Sequence, residues 1–521
     1  MLHLPARPSS RLLAVGCALA LSSAGLAACS PSAGSDGERA HACAAFEDYD
    51  VAPAQVTVAS ALGGTEAERF EASVAAFEQC TGIDIVHTGS DSLEGDLLAA
   101  SGADTATESG ASPASLPSHE GMPDLAIIPQ PGLAAELVDT GVVQPLPDAV
   151  NANVELGWDR QWGQAGIHAS VPYAAPLMAS VKSLVWYSPS AFAAEGYTLP
   201  TSWAELESLT AQIAADHPDG QVTPWCLGVS DGKASGWVMT DWLEAALLST
   251  QGQGAYEAWA DHSVPLDDPS ALNALGEVHR MLMTPGHVPG GGQAAATRSA
   301  GEAGAQLVEG RCLMLLASSS FESALPPGTM VTDPRGGEAV PAPVSSHSPS
   351  AGSAQGASPE GTQGVGPDGA PATASATPGS AGVGGVSTQG AVSAFVLPTD
   401  EQGGDPVLVG ADYLVAFSRG EAQTAVMTYL TSSQWAQERA ALGGIATAHR
   451  GVDSSQIPSD VARRSTALLQ SRETAVRMDA SDRMPVAVGT EALWASLDAW
   501  TTGSLTSEQA LGRAEEAWPG R

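Results

Sequence analysis

The sequence predicts an α/β protein divided into two lobes, and three observations carry that reading. Short apolar strands alternate with amphipathic helices early in the chain, the pattern of a mostly parallel sheet covered by helices. Setting aside the first 28 residues, a small polar stretch at 30–42 and a Gly/Ser/Ala/Pro-rich stretch at 336–390 leaves roughly 420 residues, more than one core usually serves. Several helix boundaries are also written in local chemistry, as capping residues and terminal glycines.

Val56-Thr57-Val58 reads as the first strand and Gly63-Gly64 as a turn. Thr65 and Glu68 have capping-box spacing at the start of a helix that buries Phe70, Val74 and Phe77 and stops at Gly82. Strands follow at 83–86 and 125–128, the latter closed by Pro129, and 133–138 is helical. Ser202 and Glu205 cap a helix carrying Trp203, Leu206, Leu209 and Ile213, and helices are expected at 240–248 and from 255. Strands at 310–316 and 393–397 flank the long polar stretch. Extended chain at 407–417 leads into one helix over 421–440. Thr506 and Gln509 box the last helix, which buries Leu511, Ala514 and Trp518.

Neither 336–390 nor a shorter stretch at 101–121 offers much to bury. No Phe, Trp or Tyr occurs between Phe321 and Phe395, so ordering the longer segment would repay little of its conformational entropy. Both are expected to be surface insertions.

The N-terminus reads as a removable address. Arg7 and Arg11 precede an apolar stretch at 12–21, and Leu26-Ala27-Ala28-Cys29 has the form of a lipobox, so Cys29 is the expected lipidation site. That stretch is too short to span a bilayer, and no later segment is long enough. With 58 acidic against 21 basic residues and a formal charge of −37, nucleic acid and anionic lipid surfaces are excluded as partners by charge. Lys182 and Lys233 are the only lysines. Beyond Cys17 and Cys29, four cysteines remain (Cys43, Cys80, Cys226, Cys312), which in an exported chain suggests two disulfides with three possible connectivities. There is no Cys-x-x-Cys or His-x-x-x-His, so neither a metal nor a cofactor enters the reading.

Twelve tryptophans against seven Phe and seven Tyr is an unusual ratio. An indole offers a flat apolar face with one donor, which suits the C–H face of a sugar ring. In Gly236-Trp237-Val238-Met239-Thr240-Asp241-Trp242-Leu243-Glu244, a Gly-Trp turn leads into a helix whose first turns carry Asp241. There the carboxylate either complements the helix dipole or accepts hydrogen bonds from a neutral polyol beside an aromatic floor.

Five segments, in this order, resemble one family. They are Phe77-Glu78-Gln79-Cys80-Thr81-Gly82-Ile83, Ile127-Ile128-Pro129-Gln130-Pro131-Gly132, Tyr173-Ala174-Ala175-Pro176 with Val181-Lys182-Ser183-Leu184-Val185-Trp186-Tyr187-Ser188-Pro189, Pro224-Trp225-Cys226-Leu227-Gly228, and 235–244. Together they are similar to the extracellular solute-binding proteins of carbohydrate ABC importers, in particular the alpha-glucoside-binding branch. The resemblance implies a two-lobed, hinged clamp of the type II periplasmic-binding-protein-like α/β fold. Such a clamp is a monomer that holds a sugar between its lobes and hands it to permease subunits and their ATPase, outside the cell membrane. Lobe one would take 43–167 and 406–452, and lobe two 169–400 and 453–521. Cys43 would pair with Cys80 and Cys226 with Cys312. Carried over by motif, the ligand contacts would be Ser90, Asp91, Gln130, Lys182 and Trp186, then Trp237, Asp241 and Trp242, then Asp412, Tyr413 and Trp494, with no catalytic residue. After Cys312 the family tends to place a basic or amide side chain and then an aromatic. This chain runs Leu313-Met314-Leu315-Leu316-Ala317-Ser318-Ser319-Ser320-Phe321, where only Phe321 keeps such a role.

Two other readings compete. Gly228-Val229-Ser230-Asp231-Gly232 matches the nucleophile-elbow pattern of serine hydrolases, with His449 downstream as a partner, but no oxyanion loop precedes it. Asp241 and Glu244 can be read as a glycosidase pair, although a three-residue helical step is equally a solvated edge. A lipid-anchored sugar sensor or adhesion protein would need the same cleft as a transporter component.

Overall fold

The computed structural model describes residues 43–49, 51–102, 121–332, 391–400 and 406–520. The expected signal, lipobox, tether and long insertion lie outside these residues, as does most of the shorter insertion. Residues 43–48 form a separate small unit holding one 3-10 turn, Ala44–Phe46. The rest of the described chain is built on two main sheets.

The first sheet takes strands β1 (Gln55–Ser60), β2 (Asp84–Gly89) and β3 (Leu125–Ile128) in parallel, β1 lying between the other two. After the small hairpin of β4 (Ile167–His168) and β5 (Val171–Pro172), β6 (Ala175–Val181) joins this sheet, and β7 (Leu184–Tyr187) opens the second. The change of sheet is therefore made at Lys182 and Ser183. The second sheet continues with β8 (Thr223–Trp225), β9 (Cys312–Ala317), β10 (Met330–Val331) and β11 (Ala391–Val396), in the order β10-β11-β7-β9-β8. The chain then returns: β12 (Val407–Ala416) pairs antiparallel with both β3 and β6, and β13 (Val476–Met478) pairs with β12.

The parallel pairing of β1 to β3 recurs at β8–β9, β10–β11 and β12–β13, but the other pairs of the two main sheets are antiparallel, so both sheets are mixed. β12 reaches its neighbours from the other sheet instead of through a local βαβ crossover, so nothing constrains it to run parallel. Around β7, β9 and β11 the pairing is likewise antiparallel.

Most expected helices form, with two corrections. Helix Gly64–Thr81 starts one residue ahead of Thr65, with Gly63 at the N-cap and no side-chain cap. Thr65 already lies inside the first turn, where its hydroxyl cannot serve as the cap. Residues 421–440 form two helices, Glu421–Leu430 and Ser433–Ala441, because the Ser432 hydroxyl accepts from the Trp435 N–H and opens a new helix. The box at Thr506 and Gln509 is complete, though Trp518 lies beyond its helix and stacks on His262.

The larger core packs Trp203, Trp225, Trp242, Trp259 and Trp500 under the helices of the second sheet. Cys226 and Cys312 are bonded to each other beside β8 and β9, and Cys43 and Cys80 are disulfide-bonded as well.

Candidate functional site

Residues of both sheets meet around one cleft of about 480 Å³. Ser90, Asp91, Gln130 and Asp412 line it from elements of the first sheet, Trp237, Asp241 and Trp494 from helices on the second, and Lys182 from the link between them.

Two glycines make the geometry possible. Gly236 sits at φ 107°, ahead of helix Trp237–Gln251, and a Cβ there would fall 2.1 Å from the Trp494 carbonyl oxygen. Only glycine combines that left-handed backbone with so close an approach, so the helix carrying Asp241 can start against the segment carrying Trp494. At Gly410 on β12, a Cβ would come 2.7 Å from Lys182 Cε. Its absence leaves a path for the lysine stem.

Lys182 follows β6 and its Nζ reaches three carboxyl groups. It donates to Asp479 Oδ2 at 2.6 Å and Asp482 Oδ2 at 3.0 Å, and Asp241 Oδ1 lies 3.2 Å away. The turn after β13 is itself braced, since Asp479 Oδ1 accepts from the Ser481 hydroxyl and the Asp482 N–H. Behind it, Glu244 accepts from the Ala480 and Ser481 N–H groups at 2.7 and 2.9 Å.

One ammonium can neutralise only one of three buried carboxylates, and the proton affinities separate accordingly. Burial raises Asp241 to about 8; Lys182 opposes the rise, while Asp479 and Asp482 add to it. Burial with Asp479 alongside lifts Asp482 to about 7. Burial works against the charge on Asp479 too, but Lys182 and the Asp482 and Ser481 donors hold it below the usual carboxylate range. The lysine loses some preference for its charge through burial, yet the three aspartates keep it well above its ordinary value. Near neutrality the cluster is an ammonium–carboxylate pair beside a proton-bearing Asp241, with Asp482 close to its own midpoint. Glu244 is raised further by burial and Asp479.

At the rim, Trp237 is half-buried and its Nε1 donates to Asp231 Oδ2 at 2.8 Å, which sets the ring orientation. Trp494 is 6% exposed and lines the cleft, with no acceptor for its Nε1 among the described residues. It follows the π-helical segment Ala487–Leu493, whose Thr490 hydroxyl donates to Glu94 on the opposite side of the cleft.

Four expected contacts are not among the residues lining the cleft. Trp186 is buried, donates from Nε1 to the Ser318 carbonyl at 3.1 Å, and packs edge-on against Phe321. Trp242 is buried edge-on against Trp225, and the Tyr413 hydroxyl donates to the Trp162 carbonyl at 3.0 Å. Trp186 and Phe321 still matter indirectly, because Ser318 and Ser320 line the cleft. These serines bring polar atoms to the edge where the sequence lacks the family's basic or amide group.

Sequence reasoning missed Asp479, Asp482, Ser318, Ser320 and Lys233. One signal was in view: the chain has only two lysines, and both line this cleft. The competing chemistry finds little geometric support. Ser230 precedes a short 3-10 turn, Gly232–Ala234, instead of a helix, and its N–H is tied to the Arg298 carbonyl. His449 is buried against Trp158. Glu244 is engaged with Tyr256 and the 480–481 backbone, so it is not paired with Asp241 at a substrate. Among the described residues no cluster of metal-ligating side chains occurs, and no helix is long and apolar enough to cross a membrane.

No family model matches the chain. It is 28% identical over 469 residues to an osmoprotective compounds-binding protein of Synechocystis sp., covering 89% of this chain and 92% of the relative. It is 31% identical over 258 residues to an alpha-glucosides-binding periplasmic protein of Rhizobium meliloti, a match spanning 48% of this chain and about half (52%) of that relative. Among solved structures it superposes on a chitin oligosaccharide binding protein with TM-score 0.62 at 15% identity, covering 90% of this chain and 98% of the other. A maltose-bound protein of T. maritima gives TM-score 0.56 at 15% identity, covering 89% and 98%. The fold is the two-lobed type II periplasmic-binding-protein clamp, and the resemblance read from the motifs agrees with these relatives.

Proposed function

We propose, on the premise that this chain is an extracellular solute-binding protein of the carbohydrate-importer type, that it captures a sugar between its lobes and delivers it intact to a permease and its ATPase. The observation that carries this reading is the cleft, where carboxyl, hydroxyl and amide groups stand beside the indoles of Trp237 and Trp494. Hydroxyl groups need such acceptors and donors, and ring faces need such platforms. The sugar class in view is an alpha-glucoside or another oligosaccharide, the class named for the R. meliloti relative. Ser90, Asp91, Gln130, Lys182, Trp237, Asp241, Asp412 and Trp494 are the proposed contacts. Trp186, Trp242, Phe321 and Tyr413 act behind them. The lobes proposed are 43–167 with 406–452 and 169–400 with 453–521, closing by hinge rotation. No bond is made or broken in the ligand, and the protein works as a monomer held outside the cell membrane through lipidated Cys29.

A thermal-shift screen of the mature protein against mono-, di- and trisaccharides tests the reading. A sugar at 100 times its Kd stabilises the folded state by about 2.7 kcal/mol. No shift with any saccharide, or recovery of the added sugar as fragments, would overturn it. Mass spectrometry of the membrane-extracted protein checks for the diacylglyceryl group on Cys29.

A further inference from the structure

The chain passes between the two sheets three times: from β6 to β7 at Lys182 and Ser183, between β11 and β12, and after β13 through residues 479–482 toward the segment carrying Trp494. The first two passages are fastened to each other through the backbone and one hydroxyl. The Lys182 N–H donates to the Leu408 carbonyl at 2.7 Å, the Leu408 N–H donates to the Ser183 hydroxyl at 3.0 Å, and the Leu397 N–H donates to the Ser183 carbonyl at 2.9 Å.

The third passage is anchored differently at its two ends. On the side of the first sheet, the Asp479 N–H donates to the Val409 carbonyl of β12 at 2.8 Å. On the side of the second, Glu244 binds the Ala480 and Ser481 N–H groups from a helix that packs into the larger core. The passage is joined to the first one through the Lys182 side chain, which donates to Asp479 and Asp482 and stands 3.2 Å from Asp241. Lys182 thus sits where groups anchored in each sheet meet, Asp479 against β12 and Asp241 on helix Trp237–Gln251. Rotation of one lobe about the passages changes the spacing of these carboxyl groups. The flexible stem, running past the bare Cα of Gly410, lets the ammonium follow them, while the buried ion contact resists being pulled apart.

We propose that Lys182 is a positioning residue of the clamp, its ammonium pinning the third passage to the first and so setting the angle at which the lobes meet. The role follows from the two-lobed fold and holds whichever ligand the cleft takes. It also couples the cleft to the pin. Asp241 and Asp482 line the cleft, and a ligand donor that engages either of them competes with the lysine for its oxygens, so occupancy and lobe angle share one set of contacts.

The test is small-angle X-ray scattering of the full mature protein at pH 7 without ligand, comparing the wild type with Lys182→Met and Lys182→Met/Asp479→Asn, each also unfolded in urea. The double variant removes the carboxylate that the single one leaves uncompensated, and asparagine keeps the Oδ1 acceptor that Ser481 and Asp482 use to brace the turn. A lysine needed for stability alone would see wild-type scattering return together with stability in the double variant. A pin predicts a larger radius of gyration and a broader distance distribution in both variants, persisting in the double variant although its urea midpoint has moved back toward the wild type. Should the single variant fail to fold, the double variant decides alone. Wild-type scattering from the double variant would overturn the proposal and leave the saccharide reading standing, whereas a failed saccharide screen leaves this comparison unaffected.

Discussion

Replacing Lys182 by Met tests the electrostatic frame of the cleft most directly. The side chain is 14% exposed and its Nζ lies 2.6 to 3.2 Å from three carboxyl groups. At an effective dielectric of roughly 20, an ion contact of about 3 Å contributes about 5 kcal/mol before desolvation is counted. Removing one partner of such a buried pair costs about 3–5 kcal/mol, because the remaining carboxylate is left without compensation. Against a total stability of about 5–15 kcal/mol for a typical domain, that loss should be plain in a urea titration followed by tryptophan fluorescence at pH 7. The deficit also has a sign in pH. Without the ammonium, burial raises Asp479 instead of leaving it depressed, so the folded variant takes up a proton that the unfolded chain does not, and its stability recovers as pH falls. The deficit should therefore be smaller at pH 5 than at pH 7, and the double variant Lys182→Met/Asp479→Asn should regain part of it at pH 7. A deficit below about 1 kcal/mol at pH 7, or one that fails to shrink on acidification, would refute the reasoning.

Further outcomes follow from the same geometry. Trp237→Ala and Asp241→Asn should each weaken binding of whichever sugar the screen identifies by roughly 1–3 kcal/mol, measured by calorimetry, through a lost stacking face or buried hydrogen bond. Trp242→Ala should instead lower unfolding stability by about 3–5 kcal/mol, since that ring lies wholly in the core. In the unliganded protein, Asp241 and Asp482 are raised to about 8 and about 7, so the folded state holds protons that the unfolded state releases above its ordinary carboxylate range. The stability they lend is lost as pH rises toward those values: Tm should fall between pH 6 and pH 8, and Asp241→Asn should flatten the profile. Opening the Cys226–Cys312 bond, which spans 86 residues, by Cys226→Ser/Cys312→Ser should cost roughly 4–5 kcal/mol in chain entropy, read from urea midpoints. The intact bond should resist dithiothreitol under native conditions, since both cysteines are buried.

Local chemistry was legible wherever neighbours along the chain decide the outcome. The glycine at position 82 ends its helix in a left-handed cap, Ser202 accepts from the Glu205 N–H, and the reciprocal box at Thr506 and Gln509 closes as its spacing requires. One local signal went unread: the Ser432 hydroxyl, accepting from the Trp435 N–H, splits one expected helix into two. The cleft was half legible. Trp237, Asp241, Gln130 and Lys182 belong to recognisable motifs, whereas Trp186, Trp242 and Tyr413, from equally good motifs, turned inward to fill cores.

By itself, the sequence determined the alternation of strands and helices, the acidic balance, the disulfide-forming cysteines and the order of motifs along the chain. Only the tertiary structure decided that Lys182 would meet Asp241 and the pair Asp479 and Asp482, residues separated from it by up to 300 positions. It also decided that β12 would return antiparallel to the first sheet. The reason is one of range. Caps, turns and periodic apolar faces are set within a few residues, but a buried charge acquires its partners, and with them its protonation, only when distant segments are brought out of water together.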